Sequence, residues 1–156
     1  DQTNVLVGTM GSDAINGLGG RDNISGMDGD DLINGNQGDD FINGNFGNDI
    51  VRGGKGNDTV RGGQGHDVLL GGRGHDDLYG DRGDDHYVYE AHHENITIYP
   101  HDTDDGFDRL VCFGVRQTSE HREGSDLVMR MDNGGTIRIL EQFLRGTVDD
   151  FAGCHN

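Results

Sequence analysis

Aspartate returns at every ninth residue through about half of this chain. Asp13, Asp22, Asp31, Asp40, Asp49, Asp58, Asp67, Asp76 and Asp85 hold one place in nine consecutive blocks that run from Gly8 to Val88. Evenly spaced carboxylates on a repeating backbone repel one another unless cations lie between them, so the pattern points first to metal chemistry. The blocks read GTMGSDAIN, GLGGRDNIS, GMDGDDLIN, GNQGDDFIN, GNFGNDIVR, GGKGNDTVR, GGQGHDVLL, GGRGHDDLY and GDRGDDHYV. Glycine fills the first and fourth places of all nine. The eighth place is always apolar or aromatic: Ile15, Ile24, Ile33, Ile42, Val51, Val60, Leu69, Leu78 and Tyr87. A truncated block ahead of them puts Asn4 in the aspartate place and Leu6 in the apolar one.

The glycines let each turn curl until backbone carbonyls face the gap between neighbouring turns. The candidate carbonyl donors are Gly17 and Gly20, Gly26 and Gly29, Gly35 and Gly38, Gly44 and Gly47, Gly53 and Gly56, Gly62 and Gly65, Gly71 and Gly74, and Gly80 and Gly83. Six or more carboxylate and carbonyl oxygens around one point describe a calcium site; magnesium prefers a tighter octahedron with its own waters, and zinc prefers His and Cys. A turn aspartate can also do no more than cap backbone N–H groups. Asparagine would cap equally well, yet the column never uses it after Asn4.

A repeat this short cannot be helical, and two glycines per block forbid a helix in any case. It suits a six-residue turn followed by a three-residue strand whose single apolar residue points inward. Two blocks then complete one coil, and alternate blocks stack in the same sheet about 4.8 Å apart. The expected fold class is all-β: a right-handed parallel β-roll, or solenoid, around a narrow ladder of Ile, Val and Leu. Nine blocks make seven pairs of stacked turns, so about seven calcium ions are expected, which would take the formal charge from −17 to −3. Thr9, Leu18, Met27, Asn36, Asn45 and Asp81 stand where the other blocks carry a second glycine. If that place needs a positive φ, Leu18 and Met27 are strained.

Composition agrees that an ordinary core cannot hold the chain. Of 156 residues, 31% are apolar and 6% aromatic, 29 are glycine, and the net charge is −17. Low hydrophobicity with high charge describes a disordered chain unless bound cations change the balance. The acidity argues against nucleic acid, which needs clustered Lys and Arg, and no apolar run approaches the ~18 residues of a membrane span. The opening DQTNVLVG lacks the parts of a signal peptide, as expected of a piece of a longer protein or of an export substrate without a cleaved leader.

GGKGNDTVR, GGQGHDVLL and GGRGHDDLY resemble the RTX (repeats-in-toxin, haemolysin-type) nonapeptide G-G-x-G-x-D-x-U-x. The resemblance covers residues 4–88 and implies a β-roll with calcium held between consecutive turns on each edge. It divides the chain into a calcium-binding roll, residues 1–88, and a C-terminal capping segment, residues 89–156. It implies a module that stays unfolded at cytosolic calcium, passes a type I secretion apparatus, and folds outside the cell. Such modules commonly follow a protease, lipase, epimerase or toxin domain. The alternative is a structural or adhesive part of a surface layer, adhesin or extracellular matrix protein, where self-association would matter. Both readings place it in the extracellular medium or at the cell surface.

Beyond Val88 the period fails. YVYEAHHENITIYP, DRLVCFGV, DLVMRMD and GTIRILEQFL read as short strands, with a helical turn near Glu141–Leu144. A solenoid end exposes unpaired strands and needs a cap. Tyr87, Tyr89, Ile96, Ile98, Leu110, Val111, Phe113, Ile137, Ile139, Phe143 and Phe151 offer it large side chains. GFDRL is a degenerate repeat with Asp108 in the aspartate column and is a candidate for a further ion; ENITIY has lost its aspartate and should hold none. Cys112 and Cys154 match no compact zinc motif and could either pair or stay as thiols. His66 and His75 should face opposite edges, and His92 and His93 read as solvated loop residues. Arg52 and Arg61, on opposite sheets, make no groove for a carbohydrate. No G-x-S-x-G or H-E-x-x-H motif and no Ser or Cys with a convincing base suggest an enzyme here.

Overall fold

The computed structural model describes residues 2–99, 107–140, 148–152 and 154, with the backbone alone described for 148–152. The first ten strands follow the repeat: β1 (Val5–Val7), β2 (Ala14–Asn16), β3 (Asn23–Asp28), β4 (Leu32–Gln37), β5 (Phe41–Phe46), β6 (Ile50–Lys55), β7 (Thr59–Gln64), β8 (Val68–Arg73), β9 (His75–Arg82) and β10 (His86–Glu90). They are followed by β11 (Asn95–Tyr99), β12 (Asp108–Phe113), β13 (Gln117–Glu123), β14 (Asp126–Met131), β15 (Thr136–Ile139) and β16 (Val148–Ala152). The described residues contain no helix, and so none long and apolar enough to cross a membrane. The turn expected at Glu141–Leu144, with Phe143, lies outside the described residues, as does the side chain of Phe151.

Successive strands alternate between two sheets. One has the order β1-β3-β5-β7-β9-β11-β15-β14-β13, the other β16-β12-β10-β8-β6-β4-β2. Within the repeat every pairing is parallel and sets like residues side by side: Ile24 on Ile42, Ile42 on Val60, Ile33 on Val51, Val51 on Leu69. The chain is therefore a β-solenoid of stacked coils. Ile24, Ile33, Ile42, Val51, Val60, Leu69 and Leu78 are all fully buried and form its inner ladder.

The strands are longer than the repeat suggests. From β3 to β8 each spans six residues rather than three, because the ladder continues past the first glycine into the second and third places. The bend itself is also stitched to its neighbour. From Gly20 to Gly65 the amide of each fourth glycine donates to the third-place carbonyl of the coil that follows in the same sheet, as in Gly38 to Lys55 at 2.8 Å and Gly47 to Gln64 at 2.9 Å. Backbone pairing thus runs almost around the whole coil. It brings the bends so close that a side chain on Gly38 would collide with the Gly20 carbonyl, and φ there is +126°. Leu18 (φ 74°) and Met27 (φ 84°) adopt the left-handed backbone at the second place, at a cost of about 1–2 kcal/mol each.

Both sheets continue beyond Val88. Tyr87 of β10 pairs with Leu110 of β12, and Leu78 of β9 with Ile98 of β11. β15 follows β11 in parallel, after which β14 and β13 reverse direction and finish that sheet as an antiparallel edge. Tyr87, Tyr89, Ile96, Ile98, Leu110, Ile137 and Ile139 are buried, whereas Phe113 points outward and is 57% exposed. Cys112 and Cys154 form a disulfide between β12 and the chain beyond β16. The bridge closes a loop across 42 residues, and such a closure contributes about 4 kcal/mol by chain entropy. Replacing both cysteines by serine should lower the urea midpoint of the calcium-loaded protein accordingly; an unchanged midpoint would assign the bridge no stabilising role.

Candidate metal centre

The inward face of each coil reads aspartate, apolar residue, glycine. Asp22, Asp31, Asp40, Asp49, Asp58, Asp67, Asp76, Asp85 and Asp108 are each no more than 4% exposed. Their two oxygens have different roles. Oδ1 accepts the backbone amide of the aspartate one coil earlier: Asp22 N to Asp40 Oδ1 at 2.8 Å, Asp40 to Asp58 at 2.9 Å, Asp58 to Asp76 at 3.0 Å, and on the other edge Asp31 to Asp49 and Asp49 to Asp67 at 2.8 Å. Oδ2 of Asp22, Asp31, Asp40, Asp49, Asp58, Asp67 and Asp76 is buried with no hydrogen-bond partner. A buried anion left in that condition is costly unless a counter-charge reaches it.

The first glycine of each block shapes the space beside that oxygen. A Cβ placed on Gly17 would stand 2.7 Å from Asp22 Oδ2 and 2.6 Å from the Gly35 carbonyl oxygen. The same collision with the following aspartate and the next coil's glycine carbonyl recurs at Gly26, Gly35, Gly44 and Gly53. Glycine therefore keeps open a cradle into which a carboxylate oxygen and a carbonyl oxygen converge. An orphaned carboxylate oxygen beside a backbone carbonyl is the donor set of a hard divalent cation, and it fits calcium. At the bends the fourth-place carbonyls lie against the fourth glycine of the next coil, so that a Cβ on Gly38 would collide with the Gly20 oxygen and one on Gly65 with that of Gly47.

The columns change character at their ends. Asp13 is part-exposed, and its Oδ2 accepts from the Thr9 amide (2.5 Å) and hydroxyl (2.9 Å). Asp108 extends the second column, accepting the Asp85 amide at 3.0 Å. There the Tyr87 hydroxyl enters the Gly80 cradle, takes the Gly80 amide at 3.0 Å and donates to Asp108 Oδ2 at 3.4 Å. On the first edge Ile96 pairs with Asp76, so no carboxylate follows it.

Burial sets the protonation of these groups. It raises the Asp40 carboxyl, lifts Asp49 to about 6, and lifts Asp58, Asp67 and Asp76 to about 7, against the opposing effect of the backbone amide each accepts. A carboxyl raised above its unfolded value of 3.8 favours the metal-free fold fully below pH 3.8, and that contribution is lost as pH climbs from there through the folded values of about 6 and about 7.

A second ladder escaped the sequence reading. The fifth-place side chain accepts the amide of the fifth residue one coil later: Asp30 from Asn48 and Asp39 from Asn57 at 2.8 Å, Asn48 from His66 at 2.9 Å, Asn57 from His75 at 3.0 Å, and His66 Nδ1 from Asp84 at 3.1 Å. It runs opposite to the inner ladder. Its signal was the recurrence of short acceptors, Asp, Asn or His, in seven of the nine fifth places. Arg61 is held in a bidentate pair with Asp81 (2.9 and 2.6 Å) over the Tyr79 ring. His93, expected to be solvated, is instead buried, and burial pushes its imidazole down to about 4.

Repeating bends with paired acidic cradles define a calcium-binding β-roll. The family model for the RTX calcium-binding nonapeptide repeat matches four overlapping stretches, residues 7–42, 17–51, 25–60 and 52–87, together more than half of the chain. The chain belongs to that family. Among solved structures it is similar to the extracellular lipase LipA from Serratia marcescens, with a TM-score of 0.50 and 16% identity, over 97% of this chain and 40% of that one. At this identity the likeness concerns the fold. No curated protein sequence matches the chain.

Two outcomes follow from the cradles. Gly44→Ala should eject the ion beside Asp49 and lower the calcium count, whereas the outward Gln64→Ala should leave it unchanged; equal counts would show that the cradle is not the site. Calcium affinity should fall between pH 8 and pH 5, with protons released on binding in unbuffered calorimetry, and a pH-independent affinity would contradict the raised carboxyls.

Proposed function

We propose that this chain is the calcium-triggered folding and export module of a secreted protein. Residues 1–88 act as the roll and residues 89–156 as its cap. About seven calcium ions lie between stacked turns, held by carboxylates of Asp13, Asp22, Asp31, Asp40, Asp49, Asp58, Asp67, Asp76 and Asp85 with the first- and fourth-place glycine carbonyls, and Asp108 lengthens one row. The observation that carries this reading is the set of buried aspartate Oδ2 atoms without a partner. At −17 the chain repels itself when calcium is scarce, which keeps it extended for passage through a type I channel. Millimolar calcium outside the cell then folds it, in the range of extracellular calcium modules.

The family and the disulfide support an extracellular setting, since such bridges persist in oxidising compartments. The chain spans 40% of the lipase it resembles, which fits a module joined to a catalytic domain in a longer parent protein.

The test is circular dichroism with an ion count by mass spectrometry. The chelated chain should be largely disordered and become β-rich in ~0.1–10 mM calcium, with magnesium unable to substitute. Asp58→Ala should remove two ions together, because Asp58 is shared by the turns of Asp40 and Asp76. A chelated chain as compact and heat-resistant as the calcium form, with no metal bound, would end the proposal.

A further inference from the structure

Outside the aspartate columns, the described residues bring together one further group of ligand-type side chains: Glu90, His92 and His93, with donor atoms all within 4.8 Å of one another. Glu90 ends β10, and the chain turns at once, the His93 amide donating to the Glu90 carbonyl at 2.9 Å. The turn folds both imidazoles over the carboxylate. Glu90 Oε2 stands 3.2 Å from His92 Nε2 and 3.6 Å from His93 Nε2. Metal bonds of about 2.0–2.1 Å in a tetrahedral shell separate ligand atoms by about 3.3–3.4 Å, so these spacings already bracket what a single ion requires.

The surroundings hold the ligands in place. The His93 side chain is 2% exposed and meets the Tyr89 ring edge-on, with centroids 5.6 Å apart. Tyr89 donates its hydroxyl to the Glu94 carbonyl at 2.7 Å, and Asn133 Nδ2 donates to the His93 carbonyl at 2.9 Å. Ligation through Nε2 needs the tautomer with its proton on Nδ1. Nδ1 accepts the Glu90 amide at 3.1 Å, a bond that ligation through Nε2 gives up. Two imidazoles and one carboxylate suit zinc, nickel or copper, not the all-oxygen shells of calcium or magnesium. The side of the two imidazoles opens on a cavity lined by Arg52, Lys55 and Arg73, where water or an anion completes the shell.

We propose that Glu90, His92 and His93 bind one zinc-class divalent transition ion, separate from the calcium columns, which fastens the turn after β10. Tag-free, calcium-saturated protein is titrated with zinc by calorimetry and with cobalt(II) by visible absorption. One zinc per chain and a tetrahedral cobalt spectrum are expected. Affinity should drop at least ~10-fold in Glu90→Gln and in His92→Ala, whose ring is exposed, but not in a His66→Ala/His75→Ala control. Zinc should also raise the melting temperature of the unsubstituted chain and not of His92→Ala. Absent stoichiometric binding, unchanged affinity in His92→Ala, or an equal loss in the control would overturn the site. Each of these results leaves the calcium reading untouched.

Discussion

The structure depends on how each inward aspartate divides its two oxygens. Oδ1 accepts an amide from the preceding coil and ties adjacent turns together. That bond drags Oδ2 out of water with nothing to meet it. The same side chain therefore supplies the cohesion of the roll and its largest liability. A buried anion of this kind is relieved by a proton or by a cation, and whichever binds the folded chain alone adds to its stability by mass action. The thin interior of single Ile, Val and Leu residues cannot replace that contribution.

Much of this was legible because period alone converts to geometry. The aspartate, glycine and apolar columns fixed which residues stack, which face inward, and that the chain forms a parallel roll. Strand length was not legible, since it depends on the fourth-glycine amides reaching the third-place carbonyls of the next coil. The fifth-place ladder was hidden by spelling: Asp30, Asn48 and His66 differ as letters but each offers an acceptor at the same reach. Tyr87 sits in an apolar place, yet its hydroxyl, which fills a glycine cradle, decides its role. His93 looked like any loop histidine, because adjacency to His92 carries no information about burial. The exposed, polar β13 gave no alternating apolar signal, and its pairing with β14 comes from tertiary context.

The ends of the two columns show how such an array is closed. At the start, Thr9 satisfies Asp13 from within its own block. At the finish, Tyr87 supplies a hydroxyl on one edge and Ile96 removes the carboxylate on the other. Asp13 and Asp108 thus meet a hydroxyl donor, and Ile96 stands as an apolar replacement, where the row of turns runs out.

Identical coils raise the problem of slippage. Moving the chain by one whole coil would exchange Ile for Val and one aspartate for another, with every ladder bond re-formed. The contacts that are not repeated act as keys against this. The Arg61–Asp81 pair and the Tyr79–Tyr99 stack, with ring centroids 4.2 Å apart, each occur at a single level of the roll, and the 23-residue step from Asp85 to Asp108 replaces the usual 18. These few irregular features select one alignment among several that the repeat itself leaves nearly equal in energy.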